Sequence, residues 1–216
     1  MKNWKIELNE AIKQVHQYYP VGLLHFEEAY DGFKECKLLV EKKINELITD
    51  IDSEWKNLSK TLEQEHGKQI QILSAQQFPS YIAKIVIDNQ KSEFFEYHRC
   101  LVVNVSLLWN RYTLFFEDNY IFYYNNLKRL VAPQKKIIFF EEHEFSGQKK
   151  IVETTKRDVE AQFLNHSYIH HQFLFERKVK DSVPYNTGHE FAKDEYSLYQ
   201  LLFDGFFDDQ YSDILK

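Results

Sequence analysis

Glycine and proline are scarce in this chain of 216 residues, with six of one and four of the other. No glycine lies between Gly67 and Gly147. The section where strands are expected therefore lacks a Gly-rich strand-to-helix turn, and with it the means to cradle a phosphate on backbone N–H groups. P-loop and Rossmann nucleotide sites are not expected. A Gly-x-Ser-x-Gly elbow, a His-Glu-x-x-His zinc motif and an EF-hand loop are also absent from the sequence. No cofactor is expected. Cysteine is limited to Cys36 and Cys100, too few for a disulfide framework or a zinc cluster. That usage fits a reducing compartment, and the sequence reads as cytoplasmic.

Long apolar runs are missing too. The longest uncharged run of any hydrophobicity, Cys100 to Asn110, contains Asn104 and Ser106 and falls far below the roughly 20 residues that span a bilayer. No transmembrane helix is expected. The segment that follows Met1-Lys2-Asn3-Trp4-Lys5 alternates charged and apolar residues, unlike a cleaved secretory signal. Basic residues number 27 against 33 acidic, so a broad nucleic-acid surface, which needs clustered Lys and Arg, is not expected.

Aromatic residues are abundant, with 18 Phe and 14 Tyr, and the chain is 44% hydrophobic and 28% charged. Such a composition supports a substantial core dominated by ring packing. A first helix is expected after Asn3, with Trp4, Leu8, Ile12, Val15 and Tyr19 on one face, ended by Pro20. Asp31 offers a second N-cap, and beyond Gly32 neither Gly nor Pro recurs until Gly67. The apolar positions Phe33, Cys36, Val40, Ile44, Leu47, Ile51, Trp55, Leu58 and Leu62 keep a helical rhythm, predicting one long helix of about 50 Å.

From Gln69 the period changes. Gln69–Leu73, Tyr81–Ile87, Phe94–Leu108, Arg111–Glu117, Tyr120–Tyr124 and Lys136–Glu141 read as strands rich in Ile, Val, Tyr and Phe. Polar turns and no helices intervene, which favours an antiparallel meander of about five or six strands. Leu101, Val103, Val105 and Leu107 share one face of it, and Val102, Asn104 and Ser106 the other, mixed face. Two C-terminal helices are expected, Lys156–Val179 and His189–Phe203, the second ended by Gly205 as a C-cap. The fold class is thus α+β: N-terminal helices over 1–67, including the long one, then an antiparallel sheet with C-terminal helices packed on it over 68–216, all in one continuous core.

Four groups of residues are chemically suggestive. His166 and His170 stand four apart on an expected helix, beside His171, but two imidazoles leave metal coordination incomplete, and no metal is expected. His98 and Cys100 share one side of a strand, where a thiol and an imidazole can form a nucleophilic pair; a cysteine beside Leu101 and Val102 is more simply a core residue. Glu141, Glu142 and Glu144 flank His143 at a strand end, a place suited to a cation or, more plainly, to solvent. No catalytic residue is assigned.

The fourth group is the C-terminus. Residues 190–216 hold Glu190, Asp194, Glu195, Asp204, Asp208, Asp209 and Asp213 against Lys193 and Lys216, seven acidic minus two basic, or −5 of the chain's −6. Interleaved rings, among them Tyr199 and Phe207, can anchor a contact while the carboxylates steer a basic partner. Asp194, Glu195, Tyr199, Asp204, Phe207, Asp208, Asp209 and Asp213 are the expected partner-binding residues. The leading expectation is a non-enzymatic module that binds another protein with a basic surface, most concretely an inhibitor of the immunity type, in contact with neither nucleic acid nor membrane. Two alternatives are an enzyme of unrecognised class, a hydrolase or nuclease built from His98, Glu142, His143, His166 and His170, and a scaffold that self-associates through the long helix.

Overall fold

A computed structural model describes residues 4–22, 29–49, 51–67, 70–74, 76–124, 129–139, 146–187, 192–205, 207 and 212–215. Three helices come first, α1 (Trp4–Tyr18), α2 (Asp31–Ile48) and α3 (Glu54–His66), followed by strands β1 (Ile70–Ile72), β2 (Ser80–Lys91), β3 (Phe95–Ser106), β4 (Arg111–Tyr124) and β5 (Arg129–Phe139). Next are α4 (Ser146–Gln162), β6 (Ser167–Tyr168), α5 (His171–Glu176), β7 (Lys178–Lys180), β8 (Glu195–Ser197), α6 (Leu198–Leu202) and β9 (Ser212–Leu215). The α+β class is the one expected.

β1 to β5 form the antiparallel meander, in spatial order. The chain adds two parallel pairings to it: β9 beside β5 at the edge, and β6 beside the start of β4. Arg111–Glu117 and Tyr120–Tyr124, expected as two strands, are one strand, because Asp118 and Asn119 pair with Arg99 and His98 rather than turning. β7 and β8 make a separate two-stranded sheet.

Both faces of the main sheet are buried. On one, Ala83, Ile85, Leu101, Val103, Leu114 and Phe116 meet Trp55, Leu58 and Leu62 of α3 and Val152 and Val159 of α4. On the other, Ile82, Val102, Phe115 and Ile138 meet α1 through Ala11 and Val15, α2 through Cys36, and the α5–α6 region. The mixed face is therefore core as well, and its polar residues are answered from α6. Asn104 donates to the Tyr199 hydroxyl at 2.9 Å, and Ser106 donates to the Leu202 carbonyl at 2.7 Å. Ser80 donates to Phe203 O and Tyr19 to Leu201 O, each at 2.7 Å. A helix of five residues leaves its last carbonyls without intrahelical donors, and here three hydroxyls from distant elements supply them. Its start is held by a capping box between Ser197 and Gln200.

The long helix is instead two. Thr49 turns its hydroxyl back onto Asn45 O at 2.6 Å and sits at the C-cap of α2, and Ser53 accepts the Lys56 N–H as N-cap of α3. Side chains that compete for backbone groups thus interrupt a stripe whose apolar rhythm runs on. Asp31 is the first residue of α2, with Tyr30 in the cap position. Gly32 next to it lies against the end of α1: a Cβ there would stand 1.7 Å from the carbonyl oxygen of Gln17 and 3.0 Å from Cα of Tyr18.

The C-terminal helices also differ from expectation. The first begins earlier, at Ser146, and stops at Gln162; the stretch beyond it is cut into β6, α5 and β7 as Ile169, Phe173, Leu174 and Phe175 dock into the core. Of His189–Phe203 only Leu198–Leu202 is helical among the described residues. Gly205 is not the cap, which is Phe203; a Cβ at Gly205 would press to 2.9 Å on Pro184.

Lys43 of α2 is 1% exposed, and its ammonium donates to the carbonyls of Gln76, Phe78 and Ser80 at 2.8–2.9 Å. Burial pulls its pKa down to about 7, as the loss of water disfavours the charged form. Lys43→Met keeps the stem and strands all three acceptors. The expected loss is about 3 kcal/mol in urea denaturation; a loss below about 1 kcal/mol would mean that water replaces the ammonium.

Candidate functional site

The outer halves of β2, β3 and β4 run past the two core clusters as an arm of the sheet. Cross-strand register sets Phe95 opposite Phe122, Tyr97 opposite Tyr120, and Arg99 opposite Asp118. Residues opposite one another share a face, so four rings form a continuous stripe on one side of the arm. The Tyr97 and Tyr120 centroids are 5.1 Å apart. None of the four rings belongs to either core cluster; Phe122 is 46% exposed, and Phe94 at the hairpin turn is 57% exposed. At the inner end of the stripe Arg99 holds Asp118 through two bonds of 2.7 and 2.8 Å. That bidentate pairing raises the guanidinium pKa, and burial followed by the Asp118 charge raises the Tyr97 phenol to about 12. On the arm's other face Lys91 and His98 sit by Glu96.

The expected C-terminal surface is rearranged. Tyr199 and Phe207 are core residues, 2% and 5% exposed, as are Tyr196 and Phe203. Tyr199 is stacked on Phe203 and lies edge-on to Phe115 and Phe207. Burial, then the charges of Asp204 and Glu117, push its phenol well above the ordinary range. Asp194 is exposed beside the small sheet, and Glu195 in β8 pairs with Lys178 at 3.0 Å. Asp204 lines a cavity that Tyr199 and Phe207 also line. Asp213 stands in β9, in register with Ile137, which pairs in turn with Asp118 of the arm. Asp208 and Asp209 lie outside the described residues, as do Glu141, Glu142, His143 and Glu144. The described carboxylates therefore occupy separate elements, while the described rings serve the interior.

The histidine pairs are not assembled as the helix expectation required. His166 lies in the turn after α4, its Nε2 3.3 Å from Ser106 O, and burial lowers its pKa. His170 is the N-cap of α5, with Nδ1 accepting from Gln172 N, and stacks on His171. Among the described residues no cluster of three or more metal-ligating side chains occurs. His98 and Cys100 do share a face, but burial raises the Cys100 thiol to about 11 and that of Cys36 to about 12. Neither forms a thiolate readily near neutral pH. The stripe of α2 and α3 is largely spent on the core through Cys36, Val40, Trp55, Leu58 and Leu62, while Leu38, Ile48 and Ile51 stay exposed. No described helix is long and apolar enough to cross a membrane.

Comparison of the chain with protein-family models, with curated proteins and with solved structures found no match.

Proposed function

We propose that the chain is a non-enzymatic protein-binding module, most concretely a cytoplasmic inhibitor of the immunity type that covers a basic partner. The observation that carries this reading is the aromatic stripe Phe95–Tyr97–Tyr120–Phe122 on a sheet arm outside both core clusters. Tyrosine, large apolar rings and arginine are the residue types that concentrate binding energy in interfaces, because they bury much area at little cost in rotamer entropy. Charge supports the choice of partner. The acidic C-terminal segment returns through β9, whose Asp213 is in register with Ile137 of β5 and, through it, with Asp118 and Arg99. Of the acidic segment, Asp213 thus enters the same sheet as the rings, and a negative charge there steers a basic surface toward them. Relative to the sequence expectation, the aromatic half of the contact moves from Tyr199 and Phe207 to the arm. Two free, buried cysteines agree with a reducing compartment.

The test is a pull-down from the native cell extract with the intact chain, a Tyr97→Ser/Phe122→Ser variant, and Leu164→Ser, which alters an exposed residue away from the arm. The intact chain and Leu164→Ser are expected to retain one basic protein in a salt-sensitive way and to inhibit its activity. The arm variant is expected to bind it at least about 100-fold more weakly, as two central rings are lost. Equal retention by the arm variant would remove the stripe from the interface, and a captured protein whose activity is untouched would sink the inhibitor reading.

A further inference from the structure

Between α1 and the turn that joins β3 to β4 lies a groove of about 360 Å³. One wall is a face of α1, with Glu10, Lys13, Gln14 and Tyr18 at helical spacing, and the other is residues 107–111. Arg111 is fixed in place there. Its guanidinium lies over the Trp109 ring at 5.0 Å, donates to Asn110 O at 3.0 Å and donates to Glu10 at 2.8 Å. A second cavity, of about 190 Å³ between the sheet and the turn after α6, differs in this respect: Lys84 there holds Glu117, whose side chain is 3% exposed, so these two charges answer each other.

We propose that the groove between α1 and the β3–β4 turn binds a small organic carboxylate, an anion on an apolar body about the size of a ring with a short chain. Hydrogen-bond donors set the class. Among the described residues nothing accepts from the Lys13 ammonium, the Gln14 amide, the Tyr18 hydroxyl or the Trp109 indole N–H. Tyr18 and Trp109 are only 7% and 5% exposed, and polar groups so far from water are ordinarily paired. An ammonium and an indole N–H can only donate, whereas a carboxylate can only accept, so each supplies what the other lacks. Charge sets where the carboxylate goes. The charged lining residues are Glu10, Lys13 and Arg111; Glu10 and Arg111 pair with each other, and Lys13, which is exposed, has no carboxylate partner among the described residues. Glu35 of α2 acts at the far end, where after burial it raises the Tyr18 phenol. That keeps the hydroxyl a donor and disfavours an anion beside it. Tyr18 stands about two turns beyond Glu10, about 12 Å along the helix axis. The carboxylate therefore belongs at the Lys13–Arg111 end, and the apolar body lies toward Leu107, Leu108 and Tyr18. Size agrees: about 360 Å³ is near the lower end of small-molecule pockets and exceeds the roughly 150 Å³ that accepts benzene. The site is independent of the proposed interaction surface, since it adjoins the start of β4 and the aromatic stripe lies near the end of that strand.

The probes are phenylpropionate, its neutral amide and phenylpropylammonium, titrated into the full chain and followed by backbone amide NMR shifts. Phenylpropionate is expected to saturate in the low millimolar range, with shifts around Lys13, Tyr18 and Trp109; the amide is expected to bind about tenfold more weakly, and the ammonium not at all. Lys13→Gln should reduce phenylpropionate to the level of the amide. Lys13 is exposed, so this variant keeps the fold, and Lys149→Gln, which removes an exposed lysine of α4, should leave the affinity unchanged. Equal binding of acid and amide, tighter binding of the ammonium, a Lys13→Gln variant that binds the acid as well as the native chain, an equal loss in Lys149→Gln, or no saturable binding of any probe would overturn the proposal.

Discussion

Gly32→Ala is expected to lower the melting temperature by about 6–12 °C, the shift that a loss of about 3 kcal/mol produces in a chain of this size. Two effects compete. Alanine is the better helix former by up to about 1 kcal/mol, which on propensity alone would stabilise α2. The added methyl, however, would sit 1.7 Å from the carbonyl oxygen of Gln17 and 2.8 Å from its carbon. Both are backbone atoms of α1, so no rotamer change relieves the contact, and the two helices must separate. Their separation unseats Ala11, Val15 and Tyr19, all fully buried in the first core cluster. Calorimetry of the purified variant checks the outcome; a melting temperature unchanged within about 2 °C would show that α1 slides along α2 at little cost.

Lys84→Met is expected to cost about 3–5 kcal/mol in urea denaturation, because it leaves the Glu117 carboxylate buried without its cation. Breaking one side of such a pair is worse than removing both. The double variant Lys84→Met/Glu117→Met is therefore expected to regain most of the loss, with the methionines filling the space of two long side chains next to Val102 and Phe115. If the double variant is as unstable as the two single losses added together, the pair is not the origin of the effect.

The strands were legible because alternation and ring content are local properties: Leu101, Val103 and Val105 announce one face by themselves, and a run of strands without helices between them implies a meander. Breaks in helices were less so. Thr49 and Ser53 are ordinary helix residues in a sequence, and only their hydrogen bonds to Asn45 and Lys56 turn the apolar stripe into two helices. Between His166 and Val179 the pattern imitates a helix because Ile169, Phe173, Leu174 and Phe175 are all needed by the core, yet Ile169 reaches it from the connection after β6 and the other three from the short helix α5. The sites depend on register, which is a long-range property. Lys84 and Glu117 are 33 residues apart, and Tyr97 meets Tyr120 only because β3 and β4 pair as they do. Aromatic richness near the C-terminus was visible, but whether a ring faces the core or a partner is decided by what packs over it, and α6 packs over Tyr199.

The three hydroxyl bonds to the end of α6 join residues separated by 182, 123 and 96 positions, and this has a consequence for biosynthesis. At translation rates of about 5–20 residues per second, β4 leaves the ribosome on the order of ten seconds before Phe203 is made. Throughout that interval the part of the sheet that α6 will cover stands open, whereas α3, which covers much of the opposite face, has already emerged. The late-covered surface is the one that carries Ser80, Asn104 and Ser106, the early-covered one Leu101, Val103 and Val105. Water can solvate the first set while the nascent sheet waits, so the side chains that later fasten α6 also keep the unfinished chain from sticking to its neighbours.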